Sequence, residues 1–136
     1  MTIAQFNFEG QTVPVVFLET FRIANGVECD VYTFVGDTTR DPGIIRIAAG
    51  CRTPRQQVLQ GDRTVEGYIS GKGKLTISKP DGSKVVHPAD PSSSIPPQIT
   101  VAIGEIMQWE AAPTSDLIAY EICFPPYQDG RYKNLT

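Results

Sequence analysis

The stretch VEGYISGKGKLTI, residues 65–77, decides the fold class of this chain. Polar and apolar side chains alternate in its two halves, and Gly71-Lys72-Gly73 lies between them. Alternation with a period of two predicts β-strands, because successive side chains of a strand point to opposite faces of a sheet. Glycines between two such runs are typical of a hairpin turn. The stretch therefore predicts an antiparallel pair of strands.

The same period continues outward on both sides of this hairpin. The predicted strands are residues 3–8, 12–19, 28–35, 43–49, 65–70, 74–78, 84–87, 98–103, 105–109 and 117–124. Turn-forming residues separate them, and KPDGS at 79–83 predicts a second hairpin. No segment has the pattern of a long amphipathic helix, although Pro54 favours one helical turn at 53–60. This pattern predicts an all-β barrel or sandwich.

Length and composition predict one domain over residues 1–136, because 136 residues with 40% hydrophobic side chains suffice for one core. The net charge of −3, without a basic cluster, argues against nucleic-acid partners and anionic membranes. No apolar run approaches the roughly 20 residues of a membrane-spanning helix. Three cysteines and an N-terminus without a signal-peptide pattern predict a reduced, cytoplasmic protein.

Several segments resemble the paired motifs of the cupin superfamily. In the pattern of its first motif, G(X)5HXH(X)3-4E(X)6G, Gly50 is followed after five residues by Gln56, and Glu66 after six by Gly73. Residues 102–107 fall on the P-X-G-X-X-H of the second motif, and YEICFPPYQDGRY at 120–132 is similar to a last cupin strand and its Pro-Pro turn. The resemblance implies a cupin-type double-stranded β-helix, or jelly-roll barrel, with its motif-bearing core at residues 40–127.

The resemblance also implies where a metal would be held. The four positions that bind a divalent metal in the family are occupied here by Gln56, Val58, Glu66 and Met107. Valine and a thioether cannot replace imidazoles, so we expect no transition metal and no cofactor. Counting back from Glu66 instead places Gln60 and Asp62 at ligand positions, and that set would suit a hard cation.

Alternation along the strands predicts a pocket inside the barrel. Met107 and Trp109 share the inward parity, Glu66 shares a face with Tyr68, and Glu121 shares one with Leu117. Glu66, with Tyr68 as a second group, is the candidate acid/base residue because burial in an apolar cavity raises a carboxyl pKa. The predicted ligand-binding residues are Arg46, Arg52, Arg55, Gln56, Met107, Trp109 and Glu121. Core packing of Met107 and Trp109, and a structural ion pair of Arg46, stay open as alternatives.

These features predict a metal-free cupin-like protein that binds a small polar or anionic metabolite. The alternatives are an isomerase, epimerase or lyase with Glu66 as acid/base, a metal-dependent oxygenase, which the missing ligands disfavour, and a structural module with a filled barrel. We also expect a homodimer, because the resemblance implies pairing through N-terminal strands such as IAQFNF at 3–8 and VPVVFLE at 13–19.

Overall fold

The computed structural model describes residues 3–8, 11–92, 98–128 and 130–135, and these form twelve β-strands. The strands are β1 (Ile3–Phe8), β2 (Gln11–Ala24), β3 (Val27–Phe34), β4 (Asp41–Ile47), β5 (Gln56–Val58), β6 (Arg63–Gly71), β7 (Gly73–Ser78), β8 (Lys84–Ala89), β9 (Gln98–Val101), β10 (Ile106–Ala111), β11 (Leu117–Phe124) and β12 (Tyr132–Asn134). Among these residues no helix is long and apolar enough to cross a membrane.

The strands form two antiparallel sheets that enclose the main core. The larger sheet has seven strands in the order β1-β2-β3-β4-β11-β6-β9, and the smaller has five in the order β12-β5-β10-β7-β8. Side chains from both sheets, including Ile47, Val58, Leu75 and Leu117, pack together between them. This arrangement confirms the predicted all-β jelly-roll fold.

The register of the larger sheet places particular side chains side by side on its inner face. Val31 lies opposite Gly43, Gly43 opposite Glu121, and Glu121 opposite Glu66. Direct cross-strand partners share a face of the sheet, so these four residues form one row across β3, β4, β11 and β6. This row brings two glutamates together in the interior of the barrel.

The predicted helical turn at residues 53–60 is wrong. Gln56–Val58 is instead the strand β5, which pairs with β10 on one side and with β12 on the other. Pro54 disfavours the α conformation at the preceding residue, so the segment enters β5 in an extended form. The polar tail, for which the sequence predicts no strand, supplies β12 and completes the edge of the smaller sheet.

Part of the outer face of the larger sheet, over β6 and β11, is apolar as well. Phe6 from β1 packs edge to face against Tyr120, with ring centroids 5.3 Å apart, and also contacts Phe34. Val65 and Ile122 belong to the same cluster. Because β1 and the first part of β2 fold over this face, β6 and β11 are covered on both sides and can hold polar groups in fixed positions.

Candidate functional site

A cavity of about 500 Å³ lies between the two sheets. Strands β3, β4, β6 and β11 supply one wall, and β10 supplies Met107 and Trp109 on the other. Phe21 and Tyr127, each about half exposed, also line the cavity and mark its mouth. The volume is in the range of small-molecule sites, so the barrel is not filled by its own side chains.

Glu66 is the most buried polar group of this cavity, with no solvent-exposed surface. The indole Nε1 of Trp109 donates a hydrogen bond of 2.8 Å to its Oε1. Its Oε2 is buried and has no hydrogen-bond partner in the described part of the chain. Since buried polar atoms are ordinarily paired, this oxygen is an unmet acceptor or donor in the cavity wall.

Glu121 faces Glu66 across the strand pair and lies closer to the C-terminal segment. It is half-buried and accepts a hydrogen bond from the hydroxyl of Tyr132. That hydroxyl also lies 3.1 Å from the thiol of Cys123, another lining residue. The two glutamates thus differ in partners: Glu66 is held by an indole N–H, and Glu121 by a phenol.

Burial raises the pKa of both glutamates, and the charge of Glu121 adds to the shift of Glu66. The pKa of Glu66 lies well above its ordinary value because it is desolvated and because Glu121 carries a like charge nearby, while the Trp109 N–H opposes the shift. Desolvation also raises the pKa of Glu121, against the Tyr132 hydrogen bond and the positive charge of Arg131. The pair therefore retains a proton to higher pH than two separate glutamates would.

Two thiols lie in the same wall and are kept protonated. Burial, followed by the charge of Glu121, raises the pKa of Cys29 to about 12 and raises that of Cys123 further. A thiol is a good nucleophile only as the thiolate. Both cysteines are therefore small, weakly polar groups of the cavity wall and not nucleophiles.

Five of the predicted site residues meet in this cavity: Glu66, Gln56, Met107, Trp109 and Glu121 all line it. Tyr68 does not. It packs against the main core, and its hydroxyl donates a 2.8 Å hydrogen bond to the carbonyl oxygen of Gly71. The structure therefore places the Tyr68 hydroxyl, the predicted second acid/base group, in a hydrogen bond away from the residues that line the cavity.

The three predicted arginines are also placed outside the cavity. Arg46 is exposed and forms a two-pronged ion pair with Asp30, at 2.9 and 3.0 Å, rather than with either glutamate. Its neighbours Ile45 and Ile47 are buried, so strand alternation turns Arg46 outward. Arg52 and Arg55 flank Thr53, whose side chain lines the cavity while theirs do not.

The residues present do not fit the metal site of the family. Val58 is fully buried in the main core, and Met107 offers a thioether where an imidazole would be needed. The alternative set also fails to converge, because Gln60 and Asp62 are exposed whereas Glu66 is buried. In the ranges that the structure describes, no three His, Cys, Asp or Glu side chains are grouped to hold a metal ion.

Tyr132 is the main site residue that sequence reasoning missed. It lies in a three-residue strand within a polar tail, and so short a segment has no readable period. Its neighbour Arg131 is buried and donates to the carbonyl oxygens of Pro125, Arg63 and Phe124. This anchor fixes the tail against β6 and β11 and directs Tyr132 toward Glu121.

Comparisons with known proteins give matches in structure alone. No protein-family model and no curated protein matches the chain. Bacillus subtilis oxalate decarboxylase superposes with a TM-score of 0.66 at 16% identity, over 82% of this chain and 29% of that one. The capsular polysaccharide assembling protein CapF from Staphylococcus aureus gives 0.67 at 10% identity, over 90% of this chain and 34% of that one.

A third structure, a histidine-to-glutamine variant of Streptomyces PAC13 with uridine, has a TM-score of 0.60 at 14% identity and covers 87% of this chain and 84% of that one. The chain thus spans only about a third of the length of the decarboxylase and of CapF, but most of the length of PAC13. All three are cupin-fold proteins. The chain has the cupin fold.

Proposed function

We propose that this protein binds a small polar organic molecule in the cavity between its sheets. The observation that carries the proposal is Glu66, which lines a cavity of about 500 Å³ and whose buried Oε2 has no partner in the described chain. Leaving such an atom unsatisfied costs about 1–3 kcal/mol. A ligand that donates to this oxygen, or accepts from it when protonated, recovers that free energy.

The chemistry of the wall favours a neutral or positively charged ligand over the anionic one expected from the sequence. Glu66 and Glu121 face the interior, whereas Arg46, Arg52 and Arg55 lie outside it. An anion would meet like charge in the inner part of the cavity, because Arg22, the one described arginine that lines the cavity, is exposed at its mouth. The apolar surface of Met107 and Trp109 suits the carbon skeleton of an organic molecule. PAC13, whose structure contains uridine, is a cupin-fold neighbour with a neutral polar molecule of this size class.

Trp109 provides a direct test, because it is the single tryptophan of the chain and lies in the cavity wall. We expect ligands from a library of polyols, nucleosides and amines to change its fluorescence at saturating concentration. The Gly43→Val variant is the control, because its added side chain should fill part of the cavity. Gly43 lies beside Glu121, and a Cβ added there meets only the Cys29 thiol, at 3.0 Å, and the Asp30 carbonyl oxygen, at 3.8 Å.

The blocked variant decides how a signal is interpreted. Loss of the response in Gly43→Val, with unchanged thermal unfolding, supports binding in the cavity. An equal response in both proteins would place the ligand elsewhere, and no response from any ligand class would remove the proposal.

A second candidate function is proton transfer by the carboxyl pair, and the different hydrogen-bond partners of Glu66 and Glu121 favour it. In this scheme the Glu121 carboxylate takes the proton from a hydroxyl-bearing carbon next to a carbonyl group, while protonated Glu66 donates its proton to the carbonyl oxygen. The resulting enediol collapses when its other hydroxyl returns a proton to Glu66 and protonated Glu121 gives its proton to the former carbonyl carbon, which completes an isomerisation without an oxidant or reductant.

Solvent exchange distinguishes this reaction from binding alone. Aldoses and ketoses incubated with the protein in D₂O should gain deuterium at the carbon next to the carbonyl, as followed by proton NMR. Glu66→Gln should abolish the exchange because the amide N–H of glutamine is not acidic enough to transfer a proton to the oxygen. Exchange that persists in this variant would show that Glu66 has no acid/base role.

A further inference from the structure

The cavity wall has more acidic than basic side chains. Three carboxyl groups line it, those of Asp41, Glu66 and Glu121, against one guanidinium, that of Arg22. Arg22 is exposed at the mouth, and its Nη2 donates a 3.1 Å hydrogen bond to Asn25. The inner part of the cavity therefore has acidic groups and, among the described residues, no cationic side chain.

The nearest buried cation does not neutralise the carboxyl pair. Arg131 is almost fully buried, but its guanidinium donates to three backbone carbonyl oxygens, and it is not among the residues that line the cavity. Its charge lowers the pKa of Glu121 from a distance without a hydrogen bond to it. No cationic side chain of the described residues therefore contacts the two carboxyl groups from within the cavity, and a cationic ligand could bind there.

Aromatic rings surround the same position. Trp109 and Tyr132 line the cavity next to the two glutamates. Trp109 donates a hydrogen bond to Glu66, and Tyr132 donates one to Glu121. Tyr127 stacks on Tyr132 with ring centroids 6.0 Å apart, which extends the aromatic surface toward the mouth. Aromatic faces attract cations through their quadrupole, and the attraction is stronger where water is excluded.

We propose that the ligand of this cavity is an organic cation, a compact primary or secondary amine whose ammonium group binds between Glu66 and Glu121. The inference rests on the proposed binding function and specifies its ligand class. The ammonium would donate to the unpartnered Oε2 of Glu66 and to the Glu121 carboxylate. The carbon skeleton would lie against Trp109 and Met107, which are both buried in the wall.

Three probes of similar size and shape test whether the ligand must carry a positive charge: phenethylamine, 2-phenylethanol and phenylacetate. Each has a phenyl group on a short chain that ends in an ammonium, a hydroxyl or a carboxylate. Affinities are measured at neutral pH by Trp109 fluorescence and by calorimetry. We expect the amine to bind at least about ten-fold more tightly than the alcohol, which corresponds to one charge-assisted hydrogen bond, and the carboxylate to bind most weakly.

Two variants that each remove one negative charge test whether the preference for the amine arises in the cavity. Glu121→Gln should reduce the ratio of amine to alcohol affinity to within about two-fold, because the amide cannot attract the ammonium as a carboxylate does. Glu110→Gln is the matched control: Glu110 follows Trp109 on β10, but it is paired with Lys74 outside the cavity, at 3.6 Å. We expect this control to leave the ratio unchanged. Glu66→Gln supplies a second variant within the pair.

The outcomes separate this inference from the function on which it rests. Equal binding of amine and alcohol, or tighter binding of phenylacetate, would overturn the cationic ligand while supporting a cavity that binds organic molecules. A preference for the amine that survives Glu121→Gln and Glu66→Gln would also overturn it. If no probe and no ligand of the wider library changes the Trp109 fluorescence, both the cationic ligand and the proposed binding function are contradicted.

Discussion

Glu66 and Glu121 place two carboxyl groups opposite each other on neighbouring strands, an arrangement that ordinarily destabilises a sheet. Residues near them limit the cost: Trp109 donates to Glu66 and Tyr132 donates to Glu121. Even so, burial and repulsion leave both pKa values raised. The carboxyl pair is therefore a local cost to stability, which is the usual sign of a group kept for function.

The first prediction is that stability falls as the pH rises from about 5 to 8. An acid with a raised pKa in the folded state binds its proton there after the unfolded chain has lost it, so the folded state is favoured at low pH. This contribution is complete below the unfolded pKa and is lost as the pH rises through the folded pKa, at up to about 1.4 kcal/mol per pH unit per proton. Denaturant unfolding at several pH values measures the slope.

Desolvation also raises the pKa of Glu121 and of Asp41, so these groups add a slope of the same sign, whereas groups with a lowered pKa do not. The pKa of Asp30 is lowered, first by its hydrogen bond from Arg46, so its contribution is lost only at acid pH. Glu66→Gln should reduce the slope above pH 5 and should be more stable than the parent at pH 8. A parent profile that is flat between pH 5 and 8 would show that Glu66 titrates normally and would contradict the assignment.

At this scale the sequence predicts side-chain direction more reliably than side-chain partners. Alternation predicts that the side chains of Met107, Trp109 and Glu66 point into the barrel, because the period of two is a property of the strand itself. The same rule, applied to Ile45 and Ile47, turns Arg46 outward, where Asp30 meets it. That Glu121 faces Glu66 depends on which strands are neighbours, and no local pattern contains this information.

At the scale of elements, the C-terminal segment connects the fold to the cavity. Arg131 anchors the segment, and Tyr132 on β12 is the residue that reaches Glu121. Within the described residues β12 pairs with β5 alone, and each of the two strands has three residues. Such short strands contribute little stability of their own, so the buried guanidinium carries much of the attachment.

The second prediction concerns this anchor. Arg131→Met keeps the apolar stem but leaves the carbonyl oxygens of Pro125, Phe124 and Arg63 without its donors, and we expect a loss of about 2–5 kcal/mol in the free energy of unfolding. Urea denaturation measures this loss. Lys133→Met, at an exposed position two residues along, is the control and should change stability by less than about 0.5 kcal/mol. Similar effects of both variants would show that Arg131 is no anchor.

The third prediction separates the Tyr132 hydroxyl from its ring. Tyr132→Phe keeps the ring but removes a hydrogen bond that lowers the pKa of Glu121, so that pKa should rise. With less negative charge in the cavity, the affinity for phenethylamine at neutral pH should fall by about three-fold or more, as measured by calorimetry. Tyr32→Phe, on the outer cluster of the larger sheet, is the matched control. An unchanged affinity in Tyr132→Phe would contradict a link between β12 and the cavity.

For the molecule as a whole, the sequence predicts the fold well because the fold depends on strand period and turn residues. All ten predicted strands recur, eight of them with shifted ends. β2 runs on to Ala24 because its hairpin turns at Asn25-Gly26, where Gly26 has a φ of +75°. The strands β5 and β12 were not predictable, since three residues carry no period. The cavity is likewise a result of two sheets failing to fill the space between them, a property of packing and not of pattern.

The fourth prediction is a homodimer formed through β2. β1 pairs only with residues 11–16 of this strand, so in the described structure its other edge is open from Phe17 to Ala24. Phe17, Leu18 and Phe21 are exposed there. An open, apolar strand edge favours antiparallel pairing with a second copy across a two-fold axis. Sedimentation velocity should give a dimer at micromolar concentration.

Two variants of matched exposure test the interface. Leu18→Glu, at a side chain 54% exposed on the open edge, should give a monomer, because a buried charge at the contact lacks a partner. Val86→Glu, at a side chain 53% exposed on β8, should leave the dimer intact. Because Phe21 also lines the mouth of the cavity, the second copy would narrow that mouth. Ligand dissociation should then be slower in the dimer than in the Leu18→Glu monomer, and equal rates would separate assembly from binding.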